Sequence, residues 1–283
     1  SPTTLANIDA SHLATMDPGD GSMMGSMQQL APADGALADK TDDFAAFSEN
    51  IDKKSFDDVA VFDMIFANLD RHAANMLFAT DPETGKAHLV PIDHGSALPD
   101  PEALYGNRNA IGPDVNIMAN PDMVPARSPL GEETVEALLR LDADQMVADM
   151  KQSRTDMANR HEAADGMISD AAIEAMGARV RFVQAAAAAK VPVAEIFELL
   201  AIGALTIANT APDGMGELLT ELREQKAEYA KAKDTIEEVA DVLVVDSGQR
   251  DAMAQLDAVK SLGWGSTFSK SGMATWFDEN PKL

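Results

Sequence analysis

The chain contains no cysteine, which removes disulfides, thiolate metal sites and cysteine nucleophiles together. That absence does not fix a compartment, since secreted chains can lack cysteine too. Basic residues are scarce: 22 Lys and Arg stand against 47 Asp and Glu, a formal net charge of -25. Such a field repels polyphosphate backbones and excludes general nucleic-acid binding. It also opposes docking on anionic lipid. No apolar run reaches the roughly 18 residues of a spanning helix, so no transmembrane segment is expected. What is present is globular: 283 residues, 46% hydrophobic and 24% charged, enough for one large domain or two small ones. The first residue is Ser1 rather than Met, and nothing resembling a signal peptide follows. A processed chain or a fragment fits that start, and a soluble chain, cytoplasmic or delivered to another cell, is expected.

Three regions differ in texture. Residues 1 to 50 are small, polar and rich in Gly and Asp, with short apolar stretches at 3–8 and 26–30 that read as weak strands. Between 55 and 100, the spacing of Val59, Phe62, Ile65 and Phe66 predicts a helix leading into the polar cluster Asn68-Leu69-Asp70-Arg71-His72. Met76-Leu77-Phe78, a turn containing Gly85, and His88 to Ile92 read as a β-hairpin. Lys86 at its tip is expected to face solvent. From 130 onward the pattern is helical: one stretch from Glu132 through Met150, a second capped by Asp170 and running to Lys190, a third over 193–208 and a fourth over 214–245. The 16 methionines and the apolar helix faces are expected to build the core.

Phosphoryl transfer needs one carboxylate to accept or orient the proton of the attacking hydroxyl. It also needs an amide oxygen and a second carboxylate to hold Mg²⁺ against nucleotide phosphates. Asp70 and Asn75 sit on one short loop entering a strand, and Asp93 leaves the returning strand beside Gly95. An antiparallel hairpin brings Asn75 and Asp93 to one end, where they could share a metal while Asp70 faces substrate. Taken singly, each of the three also fits a turn or cap. His72 and His94 with Asp70 and Asp93 offer a metal site as an alternative, but no histidine pair at helical spacing supports zinc.

The run Asn68-Leu-Asp70-Arg71-His72-Ala-Ala-Asn75 followed by Ile92-Asp93-His94-Gly95-Ser-Ala-Leu98-Pro99 resembles the catalytic loop and metal-binding motif of the phosphatidylinositol 3-/4-kinase superfamily. It is most similar to the branch holding type II γ phosphatidylinositol 4-kinase-like proteins and the actin-fragmin kinase. The resemblance implies an α+β, mostly helical fold: a protein-kinase-like large lobe with a short β-hairpin at the active site. It implies Asp70 as catalytic aspartate, Asn75 and Asp93 as metal ligands, and Arg71 and His72 as loop-organising or transition-state groups. Gly25 to Leu30 is similar to the hinge between kinase lobes, so Ser26, Met27 and Gln28 are expected to line the adenine pocket of ATP. On this basis residues 1–30 are expected to be a remnant of the small lobe and hinge, 31–205 the large lobe, and 206–283 a C-terminal helical extension.

The departures are equally specific. Ahead of Arg71 the only lysines are Lys40, Lys53 and Lys54, all after the hinge, and no strand context like Val-Ala-Ile-Lys exists upstream. Gly263-Trp264-Gly265-Ser266 with Lys270 lies too near the C-terminus for a phosphate loop. Most of the small lobe is thus not evident, and the chain alone is expected to turn over little ATP unless that lobe is supplied from an upstream segment or a partner chain. The expected activity is an ATP- and Mg²⁺-dependent phosphotransferase, with a protein Ser/Thr hydroxyl as preferred acceptor. A phosphoinositide kinase and a non-catalytic kinase-like fragment serving as an interaction module are the alternatives.

Overall fold

A computed structural model of the chain describes residues 15–16, 23–24, 33–101, 116–160, 168–228 and 230–231. The chain divides into two units between Ala33 and Asp34. In the first, β1 (Thr15–Met16) pairs antiparallel with β2 (Met23–Met24). The strands expected at 3–8 and 26–30, and the hinge residues Ser26, Met27 and Gln28, lie outside the described residues, as do Trp264 and Lys270.

The second unit is mostly helical around a small antiparallel sheet of order β3-β4-β5, the arrangement of a kinase-like large lobe. Its strands are β3 (Gly35–Ala36), β4 (Met76–Thr80) and β5 (Ala87–Pro91). The hairpin forms in the expected place, with Phe78 opposite Leu89 and both buried. Its turn closes through Asp81, whose amide donates to Lys86 O at 2.8 Å and whose carboxylate accepts from Glu83 and Thr84 amides. Gly85 takes φ +69°, which a residue with a side chain rarely adopts. Lys86 is half-buried rather than free, because its Nζ donates to Glu49 O at 3.2 Å.

A short helix, α1 (Phe44–Glu49), precedes α2 (Lys53–Phe66), which starts where the Asp52 carboxylate accepts the Ser55 amide at 2.8 Å. α2 buries Phe56, Val59, Ala60, Met64 and Ile65. The stretch expected to run as one helix from Glu132 to Met150 is two: α3 (Glu132–Leu139) and α4 (Ala143–Arg160). The break is chemical, since the Asp142 carboxylate accepts the amides of Asp144 and Gln145, each at 3.0 Å, and caps a new helix. α5 (Asp170–Ala188) is capped by Ser169, whose Oγ accepts the Ala172 amide at 3.0 Å. Asp170, the expected cap, pairs instead with Arg154 at 2.6 Å.

α6 (Val193–Asn209) follows the predicted apolar run and passes through residue 205, where a boundary was expected. The last described helix, α7, covers 215–228 and turns Met215, Leu218, Leu219 and Leu222 into the same core. Met64, Met76, Met118, Met123 and Met176 are all buried there, with Phe56, Phe182 and Phe197. No described helix is long and apolar enough to cross a membrane.

The core also holds α2 against its neighbours through polar contacts. Asp57 is buried, accepts the Gly131 amide at 2.8 Å and pairs with Lys53. Burial pushes its carboxyl up, and the Lys53 contact opposes that rise. Arg179 of α5 is buried too and donates from Nε to Ile65 O at 2.7 Å, in the last turn of α2, where a cation suits the helix dipole. Burial lowers its pKa to about 10, so it remains charged at neutral pH.

Candidate active site

The site grows from the end of α2. Ala67 terminates the helix in the left-handed region at φ 50°, and the buried Asn68 turns the chain by accepting the Asp70 amide at 3.0 Å. His72 then caps a 3-10 turn (Ala73–Asn75), its Nδ1 accepting the Ala74 amide at 3.2 Å, and β4 begins. After β5 the chain swings through Asp93 at φ 53° and Leu98 at φ 58°. Two backbone bonds tie this return to the first loop: Leu98 N to Phe66 O at 2.7 Å and Leu69 N to Ser96 O at 3.2 Å. A third tie runs from Asn68 Nδ2 to Asp93 O at 3.3 Å. Ala67, Asp93 and Leu98 are three of the four non-glycine residues with positive φ among those described. Such conformations persist where the surroundings over-determine them, which happens most at functional sites.

Asn75 and Asp93 lie at the same end of the hairpin. Met76 pairs with Pro91, and the next backbone bond, Ile92 N to Asn75 O at 3.1 Å, closes the ladder just before Asp93. Asn75 Nδ2 donates to Asp70 O at 2.9 Å and approaches Asp70 Oδ2 at 3.4 Å. A carbonyl only accepts, so the amide nitrogen is fixed inward and Asn75 Oδ1 is the end left without a donor among the described residues. Asp93 is exposed, and its Oδ1 accepts the Gly95 amide at 3.2 Å. Asp70 is half-exposed, with Oδ1 3.5 Å from His72 Nε2. Oxygen atoms of an amide and two carboxylates thus stand at one end of one hairpin. Among the described residues no cluster of three His, Cys, Asp or Glu could hold a metal, so any cation here would need oxygen from elsewhere.

Arg71 faces the other way and is fully buried. Its Nε donates to Asp63 Oδ2 at 2.9 Å and one terminal nitrogen, Nη2, to Asp63 Oδ1 at 3.2 Å. The other, Nη1, donates to Asn75 O at 2.9 Å and Ile92 O at 2.5 Å. Nη2 also meets His94 Nδ1 at 2.9 Å. Since a guanidinium can only donate, His94 accepts at Nδ1 and carries its proton on Nε2. Burial, then the Arg71 charge, pull the His94 pKa down, with Asp93 opposing. Asp63 is itself buried, which pushes its carboxyl up against the pull of Arg71.

Asp63 and Asn116 were given no role from the sequence, and Asn68 entered only as the first residue of the motif. Asp63 carried a signal: it falls four residues after Val59, on the same buried face of α2. Asn116, whose Nδ2 lies 3.4 Å from Asp63 Oδ2, carried none. The lysines ahead of Arg71 are engaged elsewhere. Lys40 lies over the Phe47 and Phe78 rings, Lys53 pairs with Asp57, and Lys54 pairs with Asp58 at 2.7 Å.

A kinase-like large lobe with its polar residues gathered at a hairpin end defines the class of protein. Residues 36–196 match the family model described as phosphatidylinositol 3- and 4-kinase, and the chain belongs to that family. Rice (Oryza sativa subsp. japonica) phosphatidylinositol 4-kinase gamma 4 is 35% identical over 104 residues, 35% of this chain and 15% of that protein. Arabidopsis thaliana phosphatidylinositol 4-kinase gamma 4 is 32% identical over 128 residues, 43% of this chain and 18% of that protein. The match therefore spans less than a fifth of the length of these curated relatives. No solved structure matches the chain.

Proposed function

We infer that the chain is a phosphotransferase that moves the γ-phosphoryl group of ATP to a hydroxyl, with Mg²⁺. The observation that supports this most is the gathering of Asp70, Asn75 and Asp93 at one hairpin end, with oxygen atoms left to bind. In this reading the acceptor oxygen attacks the γ-phosphorus, the bond to the bridging oxygen of ADP breaks, and Asp70 takes the acceptor's proton. His72, close to Asp70, helps hold that carboxylate in place. Asn75 Oδ1 and the Asp93 carboxylate are the ligands for the cation. A hard, oxygen-only pair of this kind suits Mg²⁺, which completes its shell with water and phosphate oxygens and neutralises charge on the phosphates.

The acceptor we favour is a Ser/Thr hydroxyl on a protein. Each basic residue near an anionic lipid surface contributes roughly 1 kcal/mol of attraction, and acidic excess works the other way. This chain carries a net charge of -25. The names of the relatives support a second reading, in which the acceptor is a phosphoinositide. Labelled ATP supplied to the full chain, alone and with a kinase small lobe added in trans, separates the two. Phosphatidylinositol vesicles and a protein extract are offered in parallel. Label in protein, lost in Asp70→Asn, is the expected result. Label confined to lipid overturns the acceptor, and no label under either condition overturns the transferase in favour of an interaction module.

A further inference from the structure

A guanidinium has five N–H groups, and in Arg71 all five are used inside the protein. One on Nε and one on Nη2 go to Asp63, two on Nη1 go to Asn75 O and Ile92 O, and the last on Nη2 goes to His94 Nδ1. None remains for a phosphate, and the side chain has no exposed surface. Its contacts are not scattered. They reach the carbonyl of one proposed metal ligand, Asn75, and the residues on either side of the other, Asp93. The backbone of Arg71 itself follows Asp70 directly and accepts the Ile117 amide at 2.8 Å. One side chain therefore touches both segments that carry the proposed metal ligands.

We propose that Arg71 is a positioning residue that clamps Asn75 and Asp93 side by side, with Asp63 as the anchor that sets its guanidinium plane. This rests on the reading of Asn75 and Asp93 as metal ligands, but its mechanical part stands apart from that reading. The ladder between Asn75 and Ile92 has one backbone bond at this end, Ile92 N to Asn75 O, and Asp93 beyond it leaves the ladder for the left-handed region, which aspartate adopts more readily than most side-chained residues. A planar fork across both carbonyls keeps that end closed. Lysine cannot substitute, because its ammonium is a point charge with three donors and cannot span two carbonyls, a carboxylate and an imidazole at once. Asp63 in turn is steadied by Asn116, so the clamp is held from outside the hairpin. His94, packed edge-on against Phe62 at 5.0 Å between ring centroids, completes the grip on the far side of Asp93.

The test is amide hydrogen exchange on the full chain and on Arg71→Lys. Ile92 is expected to exchange about tenfold faster in the variant, while Asp81, whose amide bonds Lys86 O at the hairpin tip, and Ala87, whose amide bonds Asn50 O, stay unchanged. Equal acceleration along the whole hairpin, or none at Ile92, overturns the clamp. A second arm titrates Mn²⁺ in the presence of ATP. Affinity for Mn²⁺ is expected to fall roughly 10- to 100-fold, as for outer-shell partners of metal ligands, with ATP binding in the absence of metal unchanged. If the unsubstituted chain takes up no Mn²⁺ with ATP, the metal reading fails while the exchange at Ile92 still decides the clamp. If it takes up Mn²⁺ and Arg71→Lys does so equally, the clamp fails and the metal reading stands. Should Arg71→Lys not fold, nitrogen-15 NMR of the unsubstituted chain decides: separate, slowly exchanging Nη protons for Arg71 support the clamp, and a single averaged signal overturns it.

Discussion

Asp70→Asn is expected to lower the single-turnover rate of phosphoryl transfer by roughly 10²- to 10⁴-fold, the range for removing a general base. Little else should change. The Asp70 side chain is 48% exposed, and its firm contact with Asn75 runs through the main-chain carbonyl, which the substitution keeps. Exposed substitutions of this kind usually shift stability by less than about 0.5 kcal/mol. The thermal midpoint and the affinity for ATP with Mg²⁺ should therefore match the unsubstituted chain. A fall in rate accompanied by an equal loss of nucleotide affinity would assign Asp70 to binding rather than to proton transfer.

The largest effect on stability is expected at Asp63. Asp63→Ala leaves the Arg71 guanidinium buried without a counter-charge, a change that destabilises by about 3–5 kcal/mol. Both side chains of this pair are fully buried, unlike Lys54 and Asp58, whose side chains are 48% and 51% exposed. Water screens the exposed pair, so Lys54→Ala should shift stability by less than about 1 kcal/mol. Asp63→Asn should fall between, since it keeps the volume and one acceptor oxygen. Urea unfolding of the three variants orders them, and equal losses for Asp63→Ala and Lys54→Ala would show that Arg71 draws its stability from elsewhere.

Much of the fold is readable in the sequence because it is local. The hairpin follows from two apolar runs and a turn in which Asp81 and Gly85 each do one chemical task. α2 and α6 follow from their apolar patterns, and α5, buried on nearly every side from Ala172 to Val183, follows from its capping residues and alanine-rich run. What escaped is where one polar atom decides between two plausible patterns. Asp142 looks like any acidic residue on an amphipathic helix until its carboxylate takes two amides and starts α4. Ser169 and Asp170 are both good caps, and the contact of Asp170 with Arg154 leaves Ser169 in that place. β3 is two residues long and has no period to read; it exists because β4 offers it an edge.

The candidate site divides the same way. Hairpin spacing brings Asn75 and Asp93 to one end, and the roles given to Asp70, Asn75 and Asp93 come from the resemblance of their motif to the family. The support beneath them follows from neither. Asn116 is 53 residues from Asp63, and nothing in either neighbourhood announces that contact. Arg71 reads from sequence as either an organiser or a group aimed at phosphate, and only its burial and the count of its donors separate the two.

The central claim is that Asn75 and Asp93 hold a divalent cation as part of a nucleotide complex. Isothermal titration of the full chain with Mg²⁺, with and without ATP, tests it directly. Two protein oxygen ligands are too few to strip water from Mg²⁺, which binds readily when substrate phosphates share its shell. The account predicts heat of Mg²⁺ binding only when ATP is present, and its loss in Asp93→Ala. Tight Mg²⁺ binding without nucleotide, or binding with ATP that survives Asp93→Ala unchanged, would contradict it.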